Sequence, residues 1–314
     1  TSGKQHGVPW PRTEGVSGHG RQPMRFGSHH ERTAHQVGPS LVHAVVHLML
    51  AALGKQALED RFQPEADHRH QEMMRLVLLP GMDGTGNLFA PFVQAVASDI
   101  ESKVVRYPGD STLDYSGLLK VARASLPTDC DYFLLGESFS GPIAVLLAAE
   151  NPPGLRGLVL SSSFVKNPMP LLAPLGFLLG RLPAALPPAK ALNWSLLGRF
   201  ATPALEQSIG AAMKEVSPQA MRARLRTVLD VDVTDDLQKI RVPMLYLRAT
   251  EDRLVPRAAS RLVKQVLPAV EVVDVTGPHF LLQTQPSACA AAISRFMTDA
   301  LSEGCVSCEG PLPA

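Results

Sequence analysis

The chain has 314 residues, 45% of them hydrophobic and 19% charged, which supports a substantial core and excludes a disordered, highly charged chain. Thirty Lys and Arg against 29 Asp and Glu leave a formal charge of +1, which removes any electrostatic drive toward nucleic acid or an anionic membrane. The four cysteines, Cys130, Cys289, Cys305 and Cys308, are too few and too scattered for a disulfide framework.

Residues 1–71 differ from the rest. They are rich in Gly, His, Arg and Gln and hold nine of the ten histidines, without strand-like periodicity. The histidines are spread too loosely for a metal site, so this segment reads as a flexible or irregular N-terminal extension. Its one apolar run, 41–53, is shorter than the ~20 residues a membrane span needs. The run reads as a short packed helix. It starts too deep in the chain for an ordinary signal peptide, which makes a cytoplasmic location the expectation and secretion the alternative.

From residue 73 short apolar strands alternate with helices. Strands are expected at 75–80, 103–107, 132–135, 155–160, 244–248 and 270–275. Helices are expected at 88–97, 115–125, 141–150, 256–266 and 286–301. This alternation predicts an α/β fold: a mostly parallel central sheet flanked by helices on both faces. The stretch 164–241 is several times the usual loop length and contains helical patterns at 191–199, 203–216 and 219–229. It predicts a helical cap inserted between two halves of the core, 72–163 and 242–301. Residues 302–314 read as a tail, and the lone Cys305/Cys308 pair in it lacks the second pair that structural zinc needs.

Gly136-Glu137-Ser138-Phe139-Ser140-Gly141 follows a strand and opens a helix, the context in which a tight turn lifts a serine hydroxyl out of the sheet. Ser140 stands where the usual motif has its second glycine. A serine is a weak nucleophile and needs a neighbouring base, and after residue 71 the only histidine is His279. It lies beyond the last strand, where a base would be placed. An acid must orient that base. Asp252, past the penultimate strand, is preferred, and its neighbour Glu251 is the alternative. The oxyanion needs two N–H donors. The Phe139 amide supplies one. The Gly81-Met82-Asp83-Gly84 turn supplies the other, with Met82 preferred and Gly81 and Asp83 counted as substrate contacts. That turn lacks the lysine and spacing of a phosphate loop.

These motifs, with Leu79–Gly84, Glu251–Pro256 and Gly277-Pro278-His279-Phe280, resemble the α/β-hydrolase fold, of the esterase/lipase kind with a cap, over residues 73–298. The resemblance implies ester hydrolysis through an acyl-enzyme with no cofactor and no metal. It departs from the family pattern at its start, where residues 1–71 show no convincing pair of antiparallel strands. The expected partner is a small ester with an apolar acyl or alcohol group, with no nucleic acid and no integral membrane span. Leu171, Leu175 and Phe177, in the apolar start of the cap, are the expected pocket lining. The same triad also serves thioesterases, acyltransferases and carbon–carbon hydrolases. A non-catalytic binding protein on the same scaffold is the expectation furthest from these residues.

Overall fold

A computed structural model describes residues 73–170 and 189–306. The expectations placed on 1–71, on Leu171, Leu175 and Phe177, and on Cys308 lie outside the described residues.

Six parallel strands form one sheet: β1 (Met74–Leu79), β2 (Ile100–Val104), β3 (Tyr132–Glu137), β4 (Leu155–Ser161), β5 (Met244–Ala249) and β6 (Glu271–Val275), in the order β2-β1-β3-β4-β5-β6. Around it stand α1 (Ala90–Ala95), α2 (Tyr115–Ala124), α3 (Gly141–Ala149), α4 (Ala189–Leu197), α5 (Pro203–Lys214), α6 (Pro218–Asp230), α7 (Thr234–Leu237), α8 (Arg257–Val266), α9 (Leu281–Thr284) and α10 (Pro286–Val306). The expected α/β architecture is borne out.

The central strands are apolar on both faces because both faces are covered. Side chains alternate across a strand. Val77, Leu79, Leu134, Leu158, Leu160 and Tyr246 therefore join one core with Ile143, Leu147, Leu118 and Val263 from α2, α3 and α8. Leu76, Leu78, Phe133, Leu135, Val159 and Leu245 join the other with Phe92, Ile293, Phe296 and Met297 from α1 and α10. Phe133 and Phe296 meet edge to face, with ring centroids 6.0 Å apart. Burying a residue of this size stabilises by about 1.5–3 kcal/mol, so this double layer makes the sheet a rigid frame for the loops at its carboxyl edge.

The second strand corrects the sequence reading. It spans Ile100–Val104 rather than 103–107, with Met74 opposite Ile100 and Leu78 opposite Val104. It is an edge strand, so Glu101 and Lys103 face outward and its apolar signal is diluted. The short helices α7 and α9 were not expected either, since four residues carry too little periodicity to register.

Between β4 and β5 lie α4 to α7, in the segment expected as a cap. Leu196, Leu197, Ile209 and Ala212 of α4 and α5 bury against Leu88, with Leu254 and Phe280 packed alongside. Thr202 and Ser217 cap α5 and α6 by accepting from the Leu205 and Ala220 amides. These helices thus rest on loops that follow β1, β5 and β6, at the carboxyl ends of the strands, where open α/β sheets place their ligands.

Candidate active site

The turn from β3 into α3 is forced by sequence. Ser138 adopts φ 47°, a left-handed conformation that costs a non-glycine residue about 1–2 kcal/mol. A Cβ on Gly136 would sit 2.7 Å from the Ala144 Cβ, and one on Gly141 only 1.8 Å from Ser163 Oγ. Only glycine lets helix α3 approach the strand this closely. Ser163 Oγ donates to the Ser138 carbonyl at 2.5 Å, bracing the turn from β4. The strained serine is therefore held by its surroundings rather than by its own preference.

His279 and Asp252 converge on it from two other loops. Ser138 Oγ lies 2.8 Å from His279 Nε2, and His279 Nδ1 lies 2.9 Å from Asp252 Oδ2. The imidazole and the Asp252 side chain are both almost fully buried. Asp252 Oδ1 accepts from the Leu254 and Val255 amides, each at 2.8 Å, which fixes its rotamer. Its neighbour Glu251 turns away and pairs with Arg199 at 2.7 Å. Asp274 pairs with Arg248. Of the acids near the last strands, Asp252 is thus the one that meets the histidine. A hydroxyl, an imidazole and a carboxylate in this order can pass the serine proton to Nε2 and hold the resulting imidazolium.

Beside this group runs the 80–84 turn. The Gly81 carbonyl accepts from the Gly84 amide at 3.0 Å, and Gly84 takes φ 70°. Among the described residues the Met82 amide has no hydrogen-bond acceptor. Phe139 is buried, stacks on Tyr115 with centroids 4.9 Å apart, and its carbonyl accepts from the Tyr115 hydroxyl at 3.0 Å. Asp83 does not present a free carboxylate: its Oδ2 accepts from the Thr85 amide and hydroxyl at 2.9 and 2.6 Å. Gly81 faces Asp83 and the Glu137 carboxylate, at 3.6 and 3.7 Å from where its Cβ would be.

Four residues near the site, Tyr107, Glu137, Gln283 and Arg224, take no role in the sequence reading, and Ser140 enters it only as a departure from the motif. Ser140, in place of the second motif glycine, is fully buried. Its hydroxyl donates to the Pro80 carbonyl, and Tyr107 OH lies 2.9 Å from it. The serine therefore ties the 80–84 turn to the elbow, a contact no glycine could make. Glu137, next to Ser138, accepts from Gln283 Nε2 at 2.9 Å. Burial, with a smaller push from Asp83, drives its carboxyl up to about 7. Arg224 of α6 is 1% exposed and donates to three main-chain carbonyls of the 82–83 turn and Pro108.

Among the described residues no group of three or more His, Cys, Asp and Glu could hold a metal ion, and no helix is long and apolar enough to cross a membrane. A surface recess of about 510 Å³ opens at Met73, Arg75, Cys130 and Leu301, well away from Ser138 and His279.

The family model described as serine aminopeptidase, S33, a hydrolase family, matches residues 98–276, more than half of the chain. The chain belongs to this α/β-hydrolase family. It is therefore an enzyme of the serine hydrolase class. This hydrolase is 28% identical over 214 residues to a pimeloyl-[acyl-carrier protein] methyl ester esterase of Aeromonas hydrophila, covering 62% of the chain and 83% of that protein. It is 36% identical over 84 residues to a protein named as a carbamate hydrolase from Caulobacter sp. strain K31, covering 26% of the chain and 31% of that protein. The chain thus spans about a third of that relative's length. A lipase-esterase related protein of Clostridium acetobutylicum superposes with a TM-score of 0.61 at 17% identity, covering 72% of the hydrolase and 95% of that chain, a likeness of fold.

Proposed function

We propose that the hydrolase cleaves carboxylic esters of small to medium acyl length, with Ser138 as nucleophile, His279 as general base and Asp252 as the acid that orients it. The observation that carries this reading is the unbroken relay from Ser138 Oγ through His279 to Asp252, at 2.8 and 2.9 Å, on a strained turn. The esterase relative, 83% of whose length this chain matches, supports the bond type.

In this mechanism Ser138 Oγ attacks the ester carbonyl carbon while its proton passes to His279 Nε2. The carbonyl π pair moves onto oxygen, where the Met82 and Phe139 amides receive the charge. Each such donor contributes about 10²–10³ in rate. The C–O bond to the alcohol then breaks, and His279 returns its proton to the leaving oxygen. Water repeats the sequence on the acyl-enzyme and frees the acid and Ser138. The helices α4 to α6 act as the cap, and Leu88, Leu196, Leu197 and Phe280 form an apolar wall next to His279. A wall of this kind favours an apolar acyl or alcohol group.

A series of p-nitrophenyl esters from acetate to palmitate tests this, with an aminoacyl p-nitroanilide and an acyl thioester alongside. The expected result is turnover that peaks at butyrate to octanoate and exceeds that of the anilide and the thioester. Preference for palmitate would make the protein a lipase, and preference for the anilide would return it to the peptidase activity in its family's name.

A further inference from the structure

Every carbonyl from Pro80 to Gly84 is tied from behind. Pro80 O accepts from the Ser140 hydroxyl, Gly81 O from the Gly84 amide, and Gly84 O from the Tyr107 amide at 2.8 Å. The remaining two belong to Arg224, whose Nη1 donates to Met82 O at 2.7 Å and Asp83 O at 2.8 Å. Its Nη2 reaches Pro108 O at 2.9 Å. A guanidinium presents its donors in a fixed planar fork, so these three oxygens are held in one geometry. The charge sits with no ion-pair partner within salt-bridge distance among the described residues, between Asp83 and the Tyr107 ring, whose centroid is 6.0 Å away. Gly84 leaves the room for it, since a Cβ there would lie 2.7 Å from Nη1. Arg224 comes from α6, in the cap segment, and reaches the 80–84 turn on the core.

We infer that Arg224 is a positioning residue for ester hydrolysis: it clamps the peptides on either side of Asp83 so that the Met82 amide stays aimed at the developing oxyanion. This rests on the reading of Met82 as an oxyanion donor. Because the clamp acts on charge that exists only in the transition state, its loss appears in kcat rather than in KM. It also makes α6 a determinant of the rate, since the guanidinium that sets the turn is carried by that helix.

The test compares wild type, R224Q and R224K on p-nitrophenyl butyrate, with thermal unfolding and near-UV circular dichroism measured first. A trifluoromethyl ketone is the second probe. Ser138 adds to its carbonyl carbon, the serine proton goes to His279, and the carbonyl oxygen becomes an alkoxide that needs the same two amides. A non-fluorinated methyl ketone of the same shape measures ground-state binding. For R224Q the expected result is a kcat lower by about 10²-fold. The trifluoromethyl ketone Ki should rise by the same factor, with KM and methyl ketone affinity unchanged. R224K keeps the charge but can hold only part of the set, so it is expected to fold and to lose about tenfold on the same two readouts. A folded variant with wild-type kcat and Ki overturns the inference, as does a rise confined to KM or a lower melting temperature with full activity per folded molecule. If R224Q does not fold, R224K decides on the same criteria. Wild type that neither turns over the ester nor binds the trifluoromethyl ketone would instead sink the oxyanion reading itself.

Discussion

Replacing Ser138 by Ala lowers kcat/KM on p-nitrophenyl esters by roughly 10⁵–10⁶-fold, the scale found when a triad serine is removed. In the proposed mechanism this residue carries both the bond-forming oxygen and the proton that His279 takes, so no neighbour substitutes for it. Residual rate of about 10³–10⁴ over water would come from the amides and binding alone. The protein should melt within a few degrees of wild type, since Ser138 Oγ bonds only His279 among the described residues. A companion change separates strain from chemistry. Ser138→Gly is equally inactive, but glycine accepts φ 47° at no steric cost. The glycine variant should therefore be more stable than the alanine one by about 1 kcal/mol, a shift of roughly 2–4 °C for a domain of this size.

Asp252→Asn should lower kcat by about 10⁴-fold while leaving the fold intact. The reason lies in which oxygen does what. Asp252 Oδ1 is fixed by the Leu254 and Val255 amides, so an asparagine at this position keeps its carbonyl there and turns its NH₂ toward His279. The imidazole must then accept at Nδ1, and its proton moves to Nε2. Nε2 now donates to Ser138 instead of accepting from it, and the base is lost. Glu251→Gln is the matched control. Its carboxylate pairs with Arg199 on the surface, and exposed pairs contribute little. Activity within about threefold of wild type is expected, read from initial rates on the same ester.

How much of this was legible in the sequence depended on whether a residue's signal was local. The central strands announced themselves because both faces are buried, giving unbroken apolar runs such as Leu76-Val77-Leu78-Leu79. Strand β2 did not, because an edge strand mixes Glu101 and Lys103 into its pattern and its boundary slid by three residues. His279 stood out by scarcity, as the only histidine after residue 71. Position favoured Asp252 but left its neighbour Glu251 open as the alternative. The choice between them is made by Arg199 from the 3₁₀ turn after α4, more than fifty residues earlier in the chain. Ser140 looked like a weakened motif. Its hydroxyl proves to bridge Tyr107 and Pro80, partners some thirty and sixty residues away. Arg224 did leave a trace. Ala220, Met221, Arg224 and Val228 share the buried stripe of α6, and an arginine in such a stripe must have polar partners waiting. What the stripe could not reveal is that those partners are backbone carbonyls of the turn beside Ser138.

The central claim, that Ser138 is activated by His279 to form a covalent acyl-enzyme, is tested most directly by labelling the folded protein with a fluorophosphonate and mapping the adduct by peptide mass spectrometry. The account predicts one adduct per chain, on Ser138, with none in His279→Ala under the same conditions. An adduct on another residue, or none on folded wild-type protein, would contradict it.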